Sequence, residues 1–262
     1  MIELSNITHQ FPGSKWKLNI PDFLIQPSQI LGIIGPNGSG KSTLLRISAG
    51  ILKPSKGTVR LSRTDMTQIK RKQIAKNIGF LPQETGSEYD FTVEELVRMG
   101  RYSHTGTFGA LDALDLEIVN ECLLATEMTD MSQRRLSQLS GGEKKRAFLA
   151  SVLAQRPHIL LLDEPTGFLD VHRQVQFFHL LLNLVQKGMG VVVVTHDVNF
   201  ASLYCQKLVF LFDGKVISKG KPESVITGEV IHKIYGDDVL LGKHPETGHP
   251  FLLPRLLTQK QK

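Results

Sequence analysis

Apolar and polar positions change their period twice along the chain. From Ile2 to Ile25 short pieces alternate in steps of two: Ile2 and Leu4, Leu18 and Ile20, Phe23 and Ile25, with a break at Pro12-Gly13. Alternation of this kind sends successive side chains to opposite faces and predicts antiparallel strands. Gln29–Ile34 reads as a short buried strand, and Ser42–Ala49 as the first turns of a helix that Gly50 ends. Gly57–Leu61 predicts another strand, Asp65–Lys76 a polar basic helix, and Ile78–Leu81 an apolar strand closing on Pro82-Gln83.

From residue 91 to 155 strand signals vanish and helical spacing takes over. Val93, Leu96, Val97 and Met99-Gly100 mark one helix; Leu116, Val119, Leu123 and Leu124 mark a second that ends near Met128, with a polar loop from Tyr102 to Phe108 between them. Ser140 opens a long helix running to about Ala154, as its N-cap, with Glu143 completing a capping box. Apolar runs then return at Ile159–Leu162 and Val191–Val194, separated by a helix with Val171, Val175, Phe178, Leu182 and Val185. Runs apolar on both faces predict strands of a covered, parallel sheet. A helix near Asn199–Tyr204, a strand at Leu208–Phe212, an Asp213-Gly214 hairpin turn, a strand at Lys215–Ser218, helical residues from Glu223 to Tyr235 and an irregular tail complete the pattern. The fold class is α/β: an N-terminal antiparallel β subdomain, a core of parallel strands and helices, and an inserted α-helical subdomain at about 88–155. The main domain takes residues 1–220, and 221–262 form a helical and irregular extension.

The length of 262 residues suits one large α/β domain with an insert. Cys122 and Cys205 are too few for a disulfide framework and suggest a reducing compartment. Met1-Ile2-Glu3-Leu4 lacks the layout of a signal peptide, and no apolar run approaches the ~18–20 residues of a membrane span, so a soluble, cytoplasmic chain is expected. A net charge of +6 attracts anions in general and identifies no partner.

Candidate chemistry sharpens the picture at Gly35-Pro36-Asn37-Gly38-Ser39-Gly40-Lys41-Ser42-Thr43, which fits the phosphate-loop pattern G-x-x-x-x-G-K-[ST] between a strand and a helix. The glycines let the backbone turn its N–H groups toward an anion, and the helix start adds unpaired donors. Lys41 is placed to reach the outer phosphates and Ser42 to offer its hydroxyl to Mg²⁺. The chain is therefore expected to bind a nucleoside triphosphate, and the core to be that of a P-loop NTPase. Asp163 and Glu164 end an apolar strand, where ligands bind in such sheets. Asp163 can hold Mg²⁺ through water, and Glu164 can orient or deprotonate the water that attacks the γ-phosphate. His196, beyond another strand end, can bond the γ-phosphate and that water, and Gln83 can ligate Mg²⁺ through its amide oxygen and hold the attacking water. Gly141 and Gly142 cost helix stability at a first turn, but would let a phosphate approach the bare amides after Ser140. Phe11 can stack on a nucleobase, and Trp16 competes for that role.

Five segments in this order resemble the ATP-binding subunit of ABC transporters. Gly35–Thr43 matches Walker A, Gln83 the Q-loop, Leu139-Ser140-Gly141-Gly142-Glu143 the family signature, and Ile159–Pro165 Walker B with its catalytic Glu164. Asp170 matches the D-loop aspartate and His196 the switch histidine. The segment Thr92–Tyr102 and the tail around His244–Gly248 are similar to importers for iron–siderophore, haem and cobalamin. The signature ends in Glu143 where Gln is commoner, Phe168 replaces a small D-loop residue, and Ser103 stands where that subfamily has Pro. The resemblance implies ATP and Mg²⁺ as cofactors and a head-to-tail homodimer with ATP between the two copies. It also implies transmembrane permease subunits touched around Arg98–Tyr102, a substrate-binding protein as an indirect partner, and a peripheral place on the cytoplasmic face of the plasma membrane. A soluble ATPase of iron–sulfur cluster assembly type, or a transporter subunit for another substrate, is the alternative. The long coiled-coil insert of chromosome ATPases and the second cassette of translation-type members are absent, so no nucleic-acid partner is expected.

Overall fold

The computed structural model describes residues 1–84, 90–105, 110–167 and 169–256. Residues 88 and 89 of the expected insert, 106–108 of its loop, and Phe168 lie outside the described residues. The chain opens with β1 (Ile2–His9), which pairs antiparallel with β2 (Leu18–Ile20) and β3 (Phe23–Ile25). β4 (Ile30–Ile34) leads through the nucleotide loop into α1 (Lys41–Ser48). β5 (Lys56–Leu61) then returns to β1, and β6 (Thr64–Asp65) pairs on its outer edge.

The basic helix expected over Asp65–Lys76 does not form as one piece. Met66–Gln68 is a 3₁₀ turn, Ile69 and Lys70 are extended, and α2 (Arg71–Ala75) is a single short helix. Asp65 diverts the backbone, because its Oδ1 accepts from both the N–H and the hydroxyl of Thr67, at 2.8 and 2.7 Å. Such local bonds compete with helix continuation.

β7 (Ile78–Leu81) precedes the helical insert, α3 (Val93–Met99), α4 (Ala113–Ala125) and α5 (Gly141–Ala154). Capping boxes at Thr92, Asp112 and Ser140 start all three helices. α4 turns a different face inward than its leucines suggest. Leu116 and Leu124 are exposed, while Asp115, Ile118, Val119, Cys122 and Leu123 are buried. Arg101 makes burial of Asp115 tolerable, donating Nε–H to its Oδ1 at 2.7 Å and an Nη1 hydrogen to the Ala154 carbonyl at 2.6 Å.

β8 (Ile159–Asp163), α6 (Val171–Gln186), β9 (Gly190–Thr195), α7 (Val198–Tyr204), β10 (Lys207–Phe212) and β11 (Lys215–Gly220) complete the core. α6 buries Phe177, Phe178 and Leu181 and exposes Val171, so its covered face lies away from the helix start. α8 (Pro222–Val225) and α9 (Gly228–Tyr235) follow. The tail, expected to be irregular, instead makes a hairpin of β12 (Val239–Lys243) and β13 (Pro250–Pro254). Its signal was hidden because Leu240-Leu241 and Leu252-Leu253 are adjacent pairs rather than alternating positions. Asn199 of α7 seats this hairpin with two bonds to the Leu252 backbone, at 2.8 and 3.1 Å.

All strands but this hairpin join one sheet in the order β6-β5-β1-β2-β11-β10-β4-β9-β8-β7, with β3 also on β1. From β10 to β7 every neighbouring pair is parallel. β4, β8 and β9 are buried at every position, as strands covered on both faces must be. One face carries Ile30, Ile34, Leu160, Leu162 and Val193 against the insert and α6; the other carries Leu31, Ile33, Leu161 and Val192 against α1 and the antiparallel block. Among the described residues no helix is long and apolar enough to cross a membrane.

Candidate functional site

The strand register gathers the candidate residues. Ile34 pairs with Thr195, Asp163 with Val194, and Leu81 with Leu162. The exits of β4, β9, β8 and β7 therefore lie side by side, and bring the loop at 35–43, His196, Asp163-Glu164 and Gln83 to one sheet edge. Phe11, Trp16, Asn37, Gly38, Gly40, Lys41, Ser42, Thr43, Gln83 and Glu164 line a single cleft of about 450 Å³.

The loop holds its shape through its glycines and through contacts with its neighbours. Gly35, Gly38 and Gly40 have φ of 148°, 77° and 101°, a region that side chains disfavour. A Cβ on Gly35 would fall 2.0 Å from the Leu211 carbonyl, and one on Gly40 would fall 2.8 Å from the Trp16 ring. Trp16 is thus packed against the loop, while Phe11 is exposed and held edge-on to His9 at 4.7 Å. Both aromatics line the cleft, Phe11 with the more exposed ring. Lys41 is buried and donates to the carbonyls of Gly35 and Pro36 at 2.8 and 3.0 Å. Burial lowers its pKa, against the opposing pull of Glu164 and Asp163.

Asp163 is fully buried. Its Oδ1 accepts from the Ser42 hydroxyl at 2.9 Å, and its Oδ2 has no partner among the described residues. Burial raises its pKa, and the Ser42 bond only partly offsets that effect. A buried carboxylate oxygen without a donor is costly unless a cation or polar group completes it.

Glu164 is held from several sides. Its backbone takes a φ of 49°, its N–H donates to Val194 O at 3.0 Å, and its Oε2 lies 2.7 Å from Nδ1 of His196. The Glu164 carboxylate is nearly buried and the His196 ring largely exposed, with side-chain exposures of 10% and 68%. A carboxylate aimed by a histidine at the mouth of a phosphate cleft can orient a water. The Glu164 carbonyl accepts from Nζ of Lys145 at 2.6 Å, a contact not anticipated from the sequence. Its only signal was a lysine in register with Leu149 and Val152 on the buried face of α5. Burial lowers the Lys145 pKa, against Glu164 and Asp163.

Ser140, Gly141, Gly142 and Asp170 are not in the loop cleft; they line a second one, of about 360 Å³, with Glu127, Arg146 and Arg173. Ser140 accepts from the Glu143 N–H at 3.3 Å, and Asp170 caps α6 by accepting from the Arg173 N–H at 2.9 Å. The two glycines differ. A Cβ on Gly141 would meet open space, whereas one on Gly142 would fall 2.8 Å from Leu169. Gly142 has a packing reason of its own, and the open amide face belongs to Gly141.

A parallel sheet with a glycine loop at a helix start, and acids at the neighbouring strand exits, defines the class of P-loop nucleotide-binding proteins. The chain belongs to the ABC transporter family: that family's model matches residues 18–167. Within it, the chain is an ATP-hydrolysing subunit. Relatives include a petrobactin import ATP-binding protein of Bacillus anthracis, 40% identical over 90% of this chain and 86% of the relative. A hemin import ATP-binding protein of Pseudomonas fluorescens is 37% identical over 97% of this chain and all of the relative, at 100%. Among solved structures, a metal-chelate type ABC transporter in an inward-facing conformation aligns with a TM-score of 0.84 at 26% identity, covering 98% of each chain. An ATP-binding cassette solved as a dimer in a post-hydrolysis state, bound to ADP and Pi, aligns with a TM-score of 0.75 at 30% identity, over 84% of this chain and 98% of that one.

Proposed function

We propose that this chain powers an ABC importer for metal chelates of the iron–siderophore, haem or cobalamin kind by hydrolysing ATP in a cleft shared by two copies. Support for the substrate class comes from relatives named for petrobactin and hemin import. Support for the chemistry comes from one observation above all, the nearly buried Glu164 carboxylate with its Oε2 2.7 Å from Nδ1 of the exposed His196 beside the phosphate loop.

In this reading Phe11 stacks on the base. Gly35, Pro36, Asn37, Gly38, Ser39, Gly40 and Thr43 form the loop whose N–H groups surround the phosphates, and Lys41 leaves its carbonyl partners for the outer phosphates. Mg²⁺ fits the donors at hand, namely the Ser42 hydroxyl, the unpartnered Asp163 Oδ2 and the Gln83 amide oxygen, all hard oxygens. When bound it would neutralise charge on the β- and γ-phosphates. Glu164 orients the attacking water and takes its proton as the oxygen bonds to the γ-phosphorus and the bond to ADP breaks. His196 fixes the carboxylate and faces the γ-phosphate.

Ser140, Gly141 and Gly142 serve the ATP of the second copy, and Asp170 sits beside them. The separation of the two clefts within one chain supports this division. A two-fold axis then makes two equal sites. Closure on ATP and reopening after hydrolysis would reach permease subunits through the insert, with a substrate-binding protein engaged further away, on the far side of the membrane from this cytoplasmic, peripheral subunit. Met99 and Tyr102 are exposed and suit that contact, whereas Arg101, expected to share it, is buried in its clamp on Asp115. Glu164→Gln is expected to keep ATP binding, to slow turnover at least a hundredfold and to accumulate an ATP-bound dimer. Normal turnover by that variant would remove Glu164 from the role.

A further inference from the structure

Glu164 is the one residue of the cleft whose backbone sits in the left-handed region without being glycine, at φ 49°. Such a conformation persists only where surrounding contacts over-determine it. Three contacts do so here. The Glu164 N–H is fixed to Val194 of β9 at 3.0 Å, its carbonyl accepts the Gly167 N–H at 3.3 Å, and the same carbonyl accepts Nζ of Lys145 at 2.6 Å. The last is the shortest and comes from a different part of the molecule. Lys145 lies on α5, is 7% exposed, and reaches across to the strand exit. The same helix touches the following turn again, where Leu169 lies against Gly142.

We infer that Lys145 is a positioning residue for hydrolysis: its ammonium grips the Glu164 carbonyl, holds the strained peptide, and so aims the carboxylate at the water site. It acts through the Glu164 backbone, from outside the set of residues that line the loop cleft. Because Lys145 and the open amide face at Gly141 share one helix, the grip also ties the direction of the Glu164 carboxylate to the seating of α5. The inference rests on the reading of Glu164 as the group that orients water.

The test compares Lys145→Met, which keeps the buried stem and loses the donor, with Lys145→Arg, which keeps donors on a bulkier head. Steady-state ATPase of the purified chain gives kcat and KM, and binding of a non-hydrolysable ATP analogue checks that the cleft is intact. Lys145→Met is expected to lose at least tenfold in kcat with KM and analogue affinity within twofold of wild type, and Lys145→Arg to retain more of the rate than Lys145→Met. A filler of space would give the opposite order, since methionine fits that channel more easily. Wild-type kcat in Lys145→Met, or a rate for Lys145→Arg at or below that of Lys145→Met, would overturn the inference. If Lys145→Met does not fold, Lys145→Leu takes its place with the same expectation. Glu164→Gln run in parallel separates the two levels. If it is inactive while Lys145→Met is fully active, only the inference fails; if it is active, the reading of Glu164 fails and takes the inference with it.

Discussion

Asp163 carries a cost in the free protein that its chemistry explains. It is wholly buried, and one carboxylate oxygen has no partner among the described residues. Its pKa is raised above the usual carboxylate value of 3.8, chiefly by burial. Folding therefore takes up a proton at this position, and by linkage its contribution to stability falls as pH rises from the ordinary carboxylate range through the raised value. Above that value the buried charge persists as a standing penalty. Asp163→Asn is expected to melt no lower than wild type at pH 8 without nucleotide, while losing at least tenfold in affinity for ATP in the presence of Mg²⁺. A variant destabilised without nucleotide and unimpaired in binding would show that Asp163 serves the fold instead. Thermal melts with and without Mg-ATP make the comparison.

At the scale of elements, the insert depends on one buried ion pair. Arg101 and Asp115 are both nearly inaccessible, and Arg101 also closes the carboxyl end of α5 through Ala154. Removing one partner of a buried pair costs about 3–5 kcal/mol, because the other charge is left unpaired. Arg101→Met is thus expected to lower the urea midpoint strongly. Tyr102→Ala, on the exposed neighbour, should leave the midpoint unchanged and weaken copurification of the permease. A mild Arg101→Met together with a permease-specific defect would reverse that division.

Elements with a local signal were legible in the sequence: the phosphate loop, the Ser140 capping box, and the apolar runs Ile159–Leu162 of β8 and Val191–Val194 of β9. Features that depend on distant partners were not. The order β4-β9-β8, which sets Thr195 beside Ile34 and Asp163 beside Val194, is a property of the assembled sheet. The buried faces of α4 and α6 are chosen by α5 and by the sheet, so Leu124 and Val171 point outward despite their apolar character. Asp65 broke a helix through a bond to Thr67 that composition does not reveal. The grip of Lys145 on Glu164 joins residues brought together only by the insert folding back on β8.

For the whole molecule, the two clefts divide the functional residues into halves. Loop, Glu164, Gln83 and Phe11 stand in one, and Ser140, Gly141 and Gly142 with Asp170 stand in the other. In the proposed function each half is part of one phosphate site, and among the described residues the two halves line separate clefts. The proposed pairing with opposite orientation would complete both at once, and would make closure of the pair, rather than motion within a chain, the event that ATP controls. ATPase rate per chain, measured across a dilution series alongside particle mass, tests this most directly. A site shared by two copies requires the specific rate to rise with concentration and to level where the mass doubles; a constant specific rate from particles that keep the mass of one chain would contradict it.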